Sequence, residues 1–342
     1  MICPHCNRNL KQKERTGRTC SHCRKRFALD PKENTLLLHD LRLRKLAAKL
    51  SEDGKYRFTA AQLHHAAARK PVKASARLTP RIFWALVIAA IFTAVVAGEV
   101  PRLVLVVLAV LAATLTVSLA VLTYVRAKRR PRGLPMGPGE FGSSVLSRYR
   151  NIWGNPPGLI DTVSPKQVEL HGRAGAVVAD QLTLECLRAN NLADAMNLAL
   201  VPVEMWHNGA SKALAENTRL SVLLLHDASP PAIQLAGRML AELGPGRVVD
   251  VGLRPRMVMA KKGPLVLRSP PEQQTLDEIR SSGQLTEAEL AWLAEGNWVP
   301  LAAIRPAALI KAVTRSAERV TALVDPEQRK AKAVSFLSWP EG

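Results

Sequence analysis

The sequence predicts a multi-domain membrane protein with a small cysteine-rich module, a two-helix transmembrane hairpin and a C-terminal α/β domain with a mainly parallel sheet. Three observations carry this. Four of the five cysteines form two Cys-x-x-Cys pairs within the first 23 residues. Two uncharged apolar runs, 82–98 and 103–125, are separated by four residues. From about residue 168, short apolar runs alternate with helical stretches. A length of 342 residues suits about two ordinary domains plus smaller segments. At 47% hydrophobic and 22% charged, the chain is neither a disordered tail nor of low complexity. Its net charge of +20 is segregated. Residues 1–80 carry 19 basic and 6 acidic side chains, 81–140 carry 7 and 2, and 141–342 carry 22 and 20. A uniformly basic nucleic-acid-binding protein is therefore excluded.

The first element is residues 1–30. Cys3-Pro4-His5-Cys6 and Cys20-Ser21-His22-Cys23 are separated by thirteen residues. Each pair can grip one metal from a tight turn, and two pairs complete a tetrahedral S4 set suited to structural zinc. On these residues the segment resembles the zinc ribbon family. One structural Zn2+ per chain is expected at Cys3, Cys6, Cys20 and Cys23, and two disulfides are the competing reading. His5 and His22 could replace a thiolate, but with four thiolates present they are expected to face solvent. No cleavable signal peptide precedes the cysteines, which points to a reducing compartment. Lys11, Lys13, Arg15, Arg18, Arg24, Lys25 and Arg26 surround the site and would leave a basic surface. Cys186, in an apolar helical stretch, reads as a small buried side chain.

Residues 31–80 read as a basic helical arm. Leu36, Leu37, Leu41, Leu43, Leu46 and Leu50 recur on an amphipathic period, with Arg42, Arg44, Lys45 and Lys49 between them. A second helix is expected over 59–69, capped by Thr59. The arm suits anionic lipid or a nucleic-acid backbone, with residues 8–70 as the nucleic-acid candidate, or a solvated face packed on a partner.

Residues 81–126 are expected to form the hairpin, with spans at 82–98 and 103–125. About 20 helical residues cross a hydrocarbon core. Phe83 and Trp84 fit an interfacial belt, and Gly98 and Pro101 break the helix between the runs. Arg77 and Arg81 precede the pair; Arg126, Lys128, Arg129, Arg130 and Arg132 follow it. The positive-inside rule then gives an integral protein of the inner or plasma membrane with both termini cytoplasmic and the lipid bilayer as a partner. No ionisable group lies within either span, so the pair reads as an anchor. Residues 127–167 form a Pro/Gly-rich linker leading into the next domain, and no internal repeat is apparent.

Residues 168–270 read as the α/β domain. Strands are expected at 176–179, 198–203, 221–226 and 247–253, and helices at 181–190, 210–215 and 231–243. The run Ser221-Val222-Leu223-Leu224-Leu225-His226 has the continuous apolarity of a buried parallel strand. Residues 271–342 read as C-terminal helices, with Thr286 and Glu289 forming a capping box. Asp180 and Asp227 fall at strand carboxyl ends, where open α/β sheets bind ligands.

An acid after a first strand, a helix, and then an apolar strand ending in Asp227-Ala228-Ser229 before another helix resembles a toprim domain over about residues 174–255. A more general Rossmann-like sheet is the alternative. The resemblance implies a catalytic Glu and two metal-binding Asp residues. Asp180 stands at the Glu position, Asp227 is kept, and Ser229 replaces the second Asp. Asp180, Asp227 and Ser229 are thus the weak catalytic candidates, and Mg2+ is not expected, because a neutral hydroxyl is a poor substitute for a carboxylate. His226, Asp227 and Ser229 carry the letters of a hydrolase triad, but adjacent strand residues face opposite ways. Trp206-His207-Asn208-Gly209 reads as a turn with a packed indole. The expected function is a membrane-anchored cytoplasmic scaffold or regulatory protein with protein partners, not an enzyme. The alternative is a membrane-tethered nucleic-acid-binding or processing protein.

Overall fold

The computed structural model describes residues 1–75, 118, 133–160, 168–218, 220–244, 246–261 and 264–324. The cysteine-rich segment is followed by α1 (Asp40–Ser51) and α2 (Ala60–Ser75). Next comes one helical run, α3, made of Pro138–Glu140, the π-helical Phe141–Leu146 and Ser147–Trp153. The α/β part contains β1 (Gly175–Ala179), α4 (Gln181–Ala189), α5 (Leu192–Ala195), β2 (Leu198–Pro202), α6 (Ala210–Glu216), β3 (Ser221–Leu224), α7 (Pro230–Leu243) and β4 (Val248–Asp250). It continues with α8 (Pro255–Met259), β5 (Leu267–Arg268), α9 (Gln273–Ser281), α10 (Glu287–Ala294), β6 (Asn297–Trp298) and α11 (Pro306–Val324).

The four longer strands pair in parallel in the order β2-β1-β3-β4. Alternate side chains go to opposite faces. Val177 and Leu223 pack with Leu184 and Leu187 of α4 and Leu309 and Val313 of α11. Ala176, Val178, Val222 and Leu224 pack with Leu214 of α6 and Ala236, Met239 and Leu243 of α7. Burial on both faces explains why these strands are apolar runs rather than alternating ones. The chain leaves β1 for β2 on one side and returns to β3 on the other, so the topological switch point lies between β1 and β3.

The segment before the sheet has its own core. Leu36, Leu38, Leu43 and Leu50 meet Leu63 and Ala67 of α2 and Phe141, Val145 and Tyr149 of α3. Thr59 and Gln62 form a reciprocal capping box at the start of α2, with Gln62 N–H donating to Thr59 Oγ1 at 3.3 Å and Thr59 N–H to Gln62 Oε1 at 2.9 Å. Residues 31–39 are not helical: Asn34 ties a loop by donating to the Asp30 and Leu38 carbonyls and accepting from the Leu38 amide. The body is bonded to the α/β part through Gln62 Nε2 to the Ile304 carbonyl (3.3 Å), Arg69 to the Ala303 carbonyl (2.9 Å) and Arg57 N–H to Asn190 Oδ1 (2.8 Å).

The expected membrane protein requires correction, and with it the transmembrane hairpin, the multi-pass inner- or plasma-membrane location with both termini cytoplasmic, and the integral bilayer partnership. Among the described residues no helix is long and apolar enough to cross a membrane. The longest, α11, is amphipathic, with Lys311, Arg315, Glu318 and Arg319 exposed opposite its buried face. The two apolar runs that carried the expectation, 82–98 and 103–125, lie outside the described residues apart from Ser118.

Candidate metal centre and the closed end of the sheet

The two cysteine pairs fold as two copies of one turn. Cys3 N–H donates to the Arg8 carbonyl at 2.8 Å and Asn7 N–H to the Cys3 carbonyl at 3.1 Å. Seventeen residues on, Cys20 N–H donates to the Lys25 carbonyl at 3.1 Å and Arg24 N–H to the Cys20 carbonyl at 2.8 Å. Asn7 and Arg24 take the same left-handed conformation, with φ of 56° and 55°. Each turn is closed by an antiparallel bridge, Ile2 with Asn9 and Thr19 with Arg26. Leu10 and Phe27 occupy equivalent buried positions. The segment is therefore a short internal repeat, contrary to the expectation of none. Only the Cys, His and Cys letters survive between the copies, so sequence identity alone conceals it.

The four sulfurs converge, all lying within 4.8 Å of one another. The Cys3–Cys23 and Cys6–Cys20 Sγ separations are both 3.8 Å. A tetrahedron with Zn–S bonds of about 2.3 Å has edges of about 3.8 Å. A disulfide would need about 2.05 Å, and all five cysteines are free thiols. The set can hold a metal ion such as zinc. Burial opposes ionisation at both Cys3 and Cys20. At Cys3 burial prevails and pushes the thiol up to about 12. At Cys20 it is outweighed by the amides of Cys23 and His22, which bring the thiol down to about 7.

Neither histidine joins the four sulfurs. His5 Nε2 donates to the Arg26 carbonyl at 2.8 Å, and His22 Nδ1 accepts from Arg8 at 3.1 Å, so each ties one turn to the other. His22 is exposed, but His5 is half-buried because its ring lies 4.7 Å from that of Trp153. The module is docked on the helical body at this point. Buried Asp40, at the start of α1, accepts from the amides of Ala28 (2.9 Å) and Leu29 (2.8 Å) and from Trp153 Nε1 (2.6 Å). Arg44 lies 3.9 Å above the Trp153 ring. Arg8, Lys11, Lys13, Arg24, Lys25 and Arg26 are exposed, whereas Arg15 is buried in an ion pair with Asp30 at 3.0 Å.

The other sequence candidates lie at the carboxyl end of the sheet, on either side of the switch point. Asp180 caps α4, accepting from Thr183 N–H at 3.0 Å and Thr183 Oγ1 at 2.5 Å. Asp227 Oδ1 accepts from Leu301 N–H at 2.6 Å. Burial raises the Asp227 carboxyl, with the charge of Asp180 adding to it against the Leu301 amide. Ser229 is the N-cap residue of α7, but its side chain makes no cap bond. Ala228 and Val299 exchange two backbone bonds, of 3.0 and 3.2 Å. Residues 299–301 therefore lie across the crevice where such sheets bind ligands.

A third strand-end acid escaped the sequence reading. Asp250 accepts from His226 Nε2 at 3.0 Å, from Gly252 N–H at 2.8 Å and from Arg254 at 2.9 Å. Its carboxyl is held far below the usual range despite burial, by His226 and then Arg254. His226 Nδ1 faces the Asp227 carbonyl at 2.8 Å, so both ring nitrogens face acceptors, an arrangement that favours the protonated imidazole. Burial alone would lower this imidazole, but the Asp250 bond and charge outweigh it and raise it. His226 thus points at Asp250, away from any arrangement with Ser229 as nucleophile. Trp206 is buried in the 3-10 helix Val203–Asn208. Cys186 is buried in α4, and burial pushes its thiol up to about 12. No protein-family model, curated protein or solved structure matches the chain.

Proposed function

We propose that this chain is a scaffold or regulatory protein that acts by holding protein partners. Its N-terminus is a zinc ribbon with one structural Zn2+ on Cys3, Cys6, Cys20 and Cys23. Its α/β domain is a toprim-like sheet that has lost phosphodiester chemistry. One observation carries this reading. The strand-end carboxylates are spent on internal bonds: Asp227 on the Leu301 amide, Asp180 on the α4 cap, and Asp250 on His226 and Arg254. Clustered carboxylates that cleave phosphodiesters are turned toward a shared divalent cation, whereas each of these is turned toward a donor of its own chain. Ser229 adds no charge there.

The test is Mg2+- or Mn2+-dependent cleavage or ligation of DNA and RNA by the full chain. No turnover is expected. Metal-dependent turnover abolished by Asp227→Ala would overturn the reading. A second reading rests on the exposed bases Arg8, Lys11, Lys13, Arg24, Lys25 and Arg26, which suit a nucleic-acid backbone. It requires affinity for single- or double-stranded nucleic acid that falls steeply with salt and with replacement of these residues by glutamine.

A further inference from the structure

A groove of about 460 Å3 runs between the α1–α2 connection and α11, away from the cysteines and from the sheet. Its size lies within the range of small-molecule sites. Ile310, the small side chains of Ala307 and Ala308, and Tyr56 supply the apolar part of its lining. Arg305 stands at one end, and Lys311 and Arg315 follow one turn apart on α11.

The charges here are not balanced by the chain. Some surface arginines elsewhere find acids, as Arg238 does with Glu278 at 3.1 Å and Arg280 with Asp277 at 3.1 Å. Glu52 and Glu318 also line the groove, yet among the described residues neither forms an ion pair with Arg305, Lys311 or Arg315. Two further cations crowd the site. Lys55 Nζ lies 5.2 Å from the centre of the Tyr56 ring. Arg69, bonded to the Ala303 carbonyl, has its guanidinium held below the usual range by burial and then by the charge of Arg305. Arg305 precedes the first turn of α11, which contains no acid, although that end of a helix favours negative charge. The lining thus sets three cations against two carboxylates, with Lys55 and Arg69 nearby, and leaves the groove net positive.

We propose that this groove binds a phosphorylated small molecule of mononucleotide size. Lys311 and Arg315, one turn apart, take the phosphate oxygens as charge-assisted hydrogen bonds, and Arg305 adds positive charge at the other end. The body of the ligand rests on Ile310 beside Tyr56. This site is independent of the scaffold reading and of the metal centre.

Titration calorimetry of the full chain with adenosine monophosphate, inorganic phosphate and adenosine tests it at fixed ionic strength. Adenosine monophosphate is expected to bind once per chain, roughly tenfold or more tighter than phosphate, with adenosine giving no heat. Lys311→Gln with Arg315→Gln should weaken binding at least roughly tenfold, which corresponds to about 1.4 kcal/mol. Lys212→Gln, which removes an exposed charge elsewhere, should leave it unchanged. Lys311 and Arg315 are both exposed, so the double variant should keep the wild-type melting temperature. If it does not, Arg315→Gln alone carries the comparison. No adenosine monophosphate binding up to about 1 mM, affinity no better than for phosphate, or binding unchanged in a folded variant would each overturn the proposal.

Discussion

At the scale of single residues, two carboxylates outside the sequence candidates, buried Asp40 and half-buried Asp250, each gather several donors. Asp40 is fully buried and satisfies three donors from two distant segments of the chain. Asp40→Ala leaves two amides and an indole N–H unpaired, so urea unfolding should report a loss of about 3 kcal/mol or more. Asp40→Asn should cost less, because one oxygen still accepts. Asp250 and His226 act through pH. The raised His226 contributes stability that is fully present below its unfolded value of 6.5 and is lost as pH rises through the folded value. The depressed Asp250 contributes stability present above 3.8 and lost as pH falls through its folded value. The stability difference between the wild type and Asp250→Asn should therefore be largest between these two values and shrink on the alkaline side. A pH-independent difference would contradict the pairing. Gly252 guards the pair: a Cβ there would lie 2.1 Å from His226 Cδ2. Gly252→Ala should move the imidazole and remove the alkaline part of that dependence, read from the His226 resonance by NMR titration.

At the scale of elements, the strands were the most legible. Ser221–Leu224 and Gly175–Ala179 sit in the interior of a parallel sheet, so solvent imposes no alternation and the apolar run survives in the sequence. Of the strand expected over 247–253, Val248–Asp250 is the regular part, and the pairing runs on beyond it, with Val251 N–H donating to the Leu224 carbonyl at 2.8 Å and Leu253 N–H to the His226 carbonyl at 2.9 Å. The capping box at Thr286 was legible because it is local, with Glu289 Oε2 accepting from Thr286 N–H at 3.0 Å. The α3 run was not. Its sequence is rich in glycine, serine and arginine, and its helicity follows from Phe141, Val145 and Tyr149 finding α1 and α2 in space. Local propensity carries no trace of that contact. The connection after α3 is equally tertiary. Phe58 N–H donates to the Gly158 carbonyl at 2.8 Å, and Ile160 N–H donates back to the Phe58 carbonyl at 2.9 Å. Gly158 has φ of 84°, and a Cβ there would lie 2.8 Å from Ser51 Cβ. Gly158→Ala is expected to cost about 2 kcal/mol or more in a denaturant melt, from conformation and clash together.

At the scale of the whole molecule, the chain joins a metal-capable module, a helical body and a sheet through specific bonds. The cysteine set was legible because its ligands come from two short turns whose spacing is fixed locally. The docking of the module was not, since it depends on Trp153, more than a hundred positions away from the sulfurs in sequence. The membrane assignment rested on two apolar runs and their aromatic and basic flanks, and the longer described helices instead divide into a buried face and a charged one. The strand-end acids were found at the right place in the sheet; the partner of Asp180, Thr183, is local, but the partner of Asp227, Leu301, becomes visible only when residues 299–301 fold across the crevice. If Asp227 serves that closure, Asp227→Ala should lower stability by about 1–3 kcal/mol, since it leaves the Leu301 amide unpaired.

The central claim is that a structural zinc organises the N-terminus onto this body, and metal content measured together with free thiols tests it most directly. Purified full chain, handled without chelators, should contain one zinc per chain. Cys20→Ser should lose the zinc, and the same chain should then show altered Trp153 fluorescence as the His5 contact is released, because binding energy at such a site is also folding energy. A folded wild-type chain with no metal and its N-terminal cysteines paired as disulfides would contradict the account.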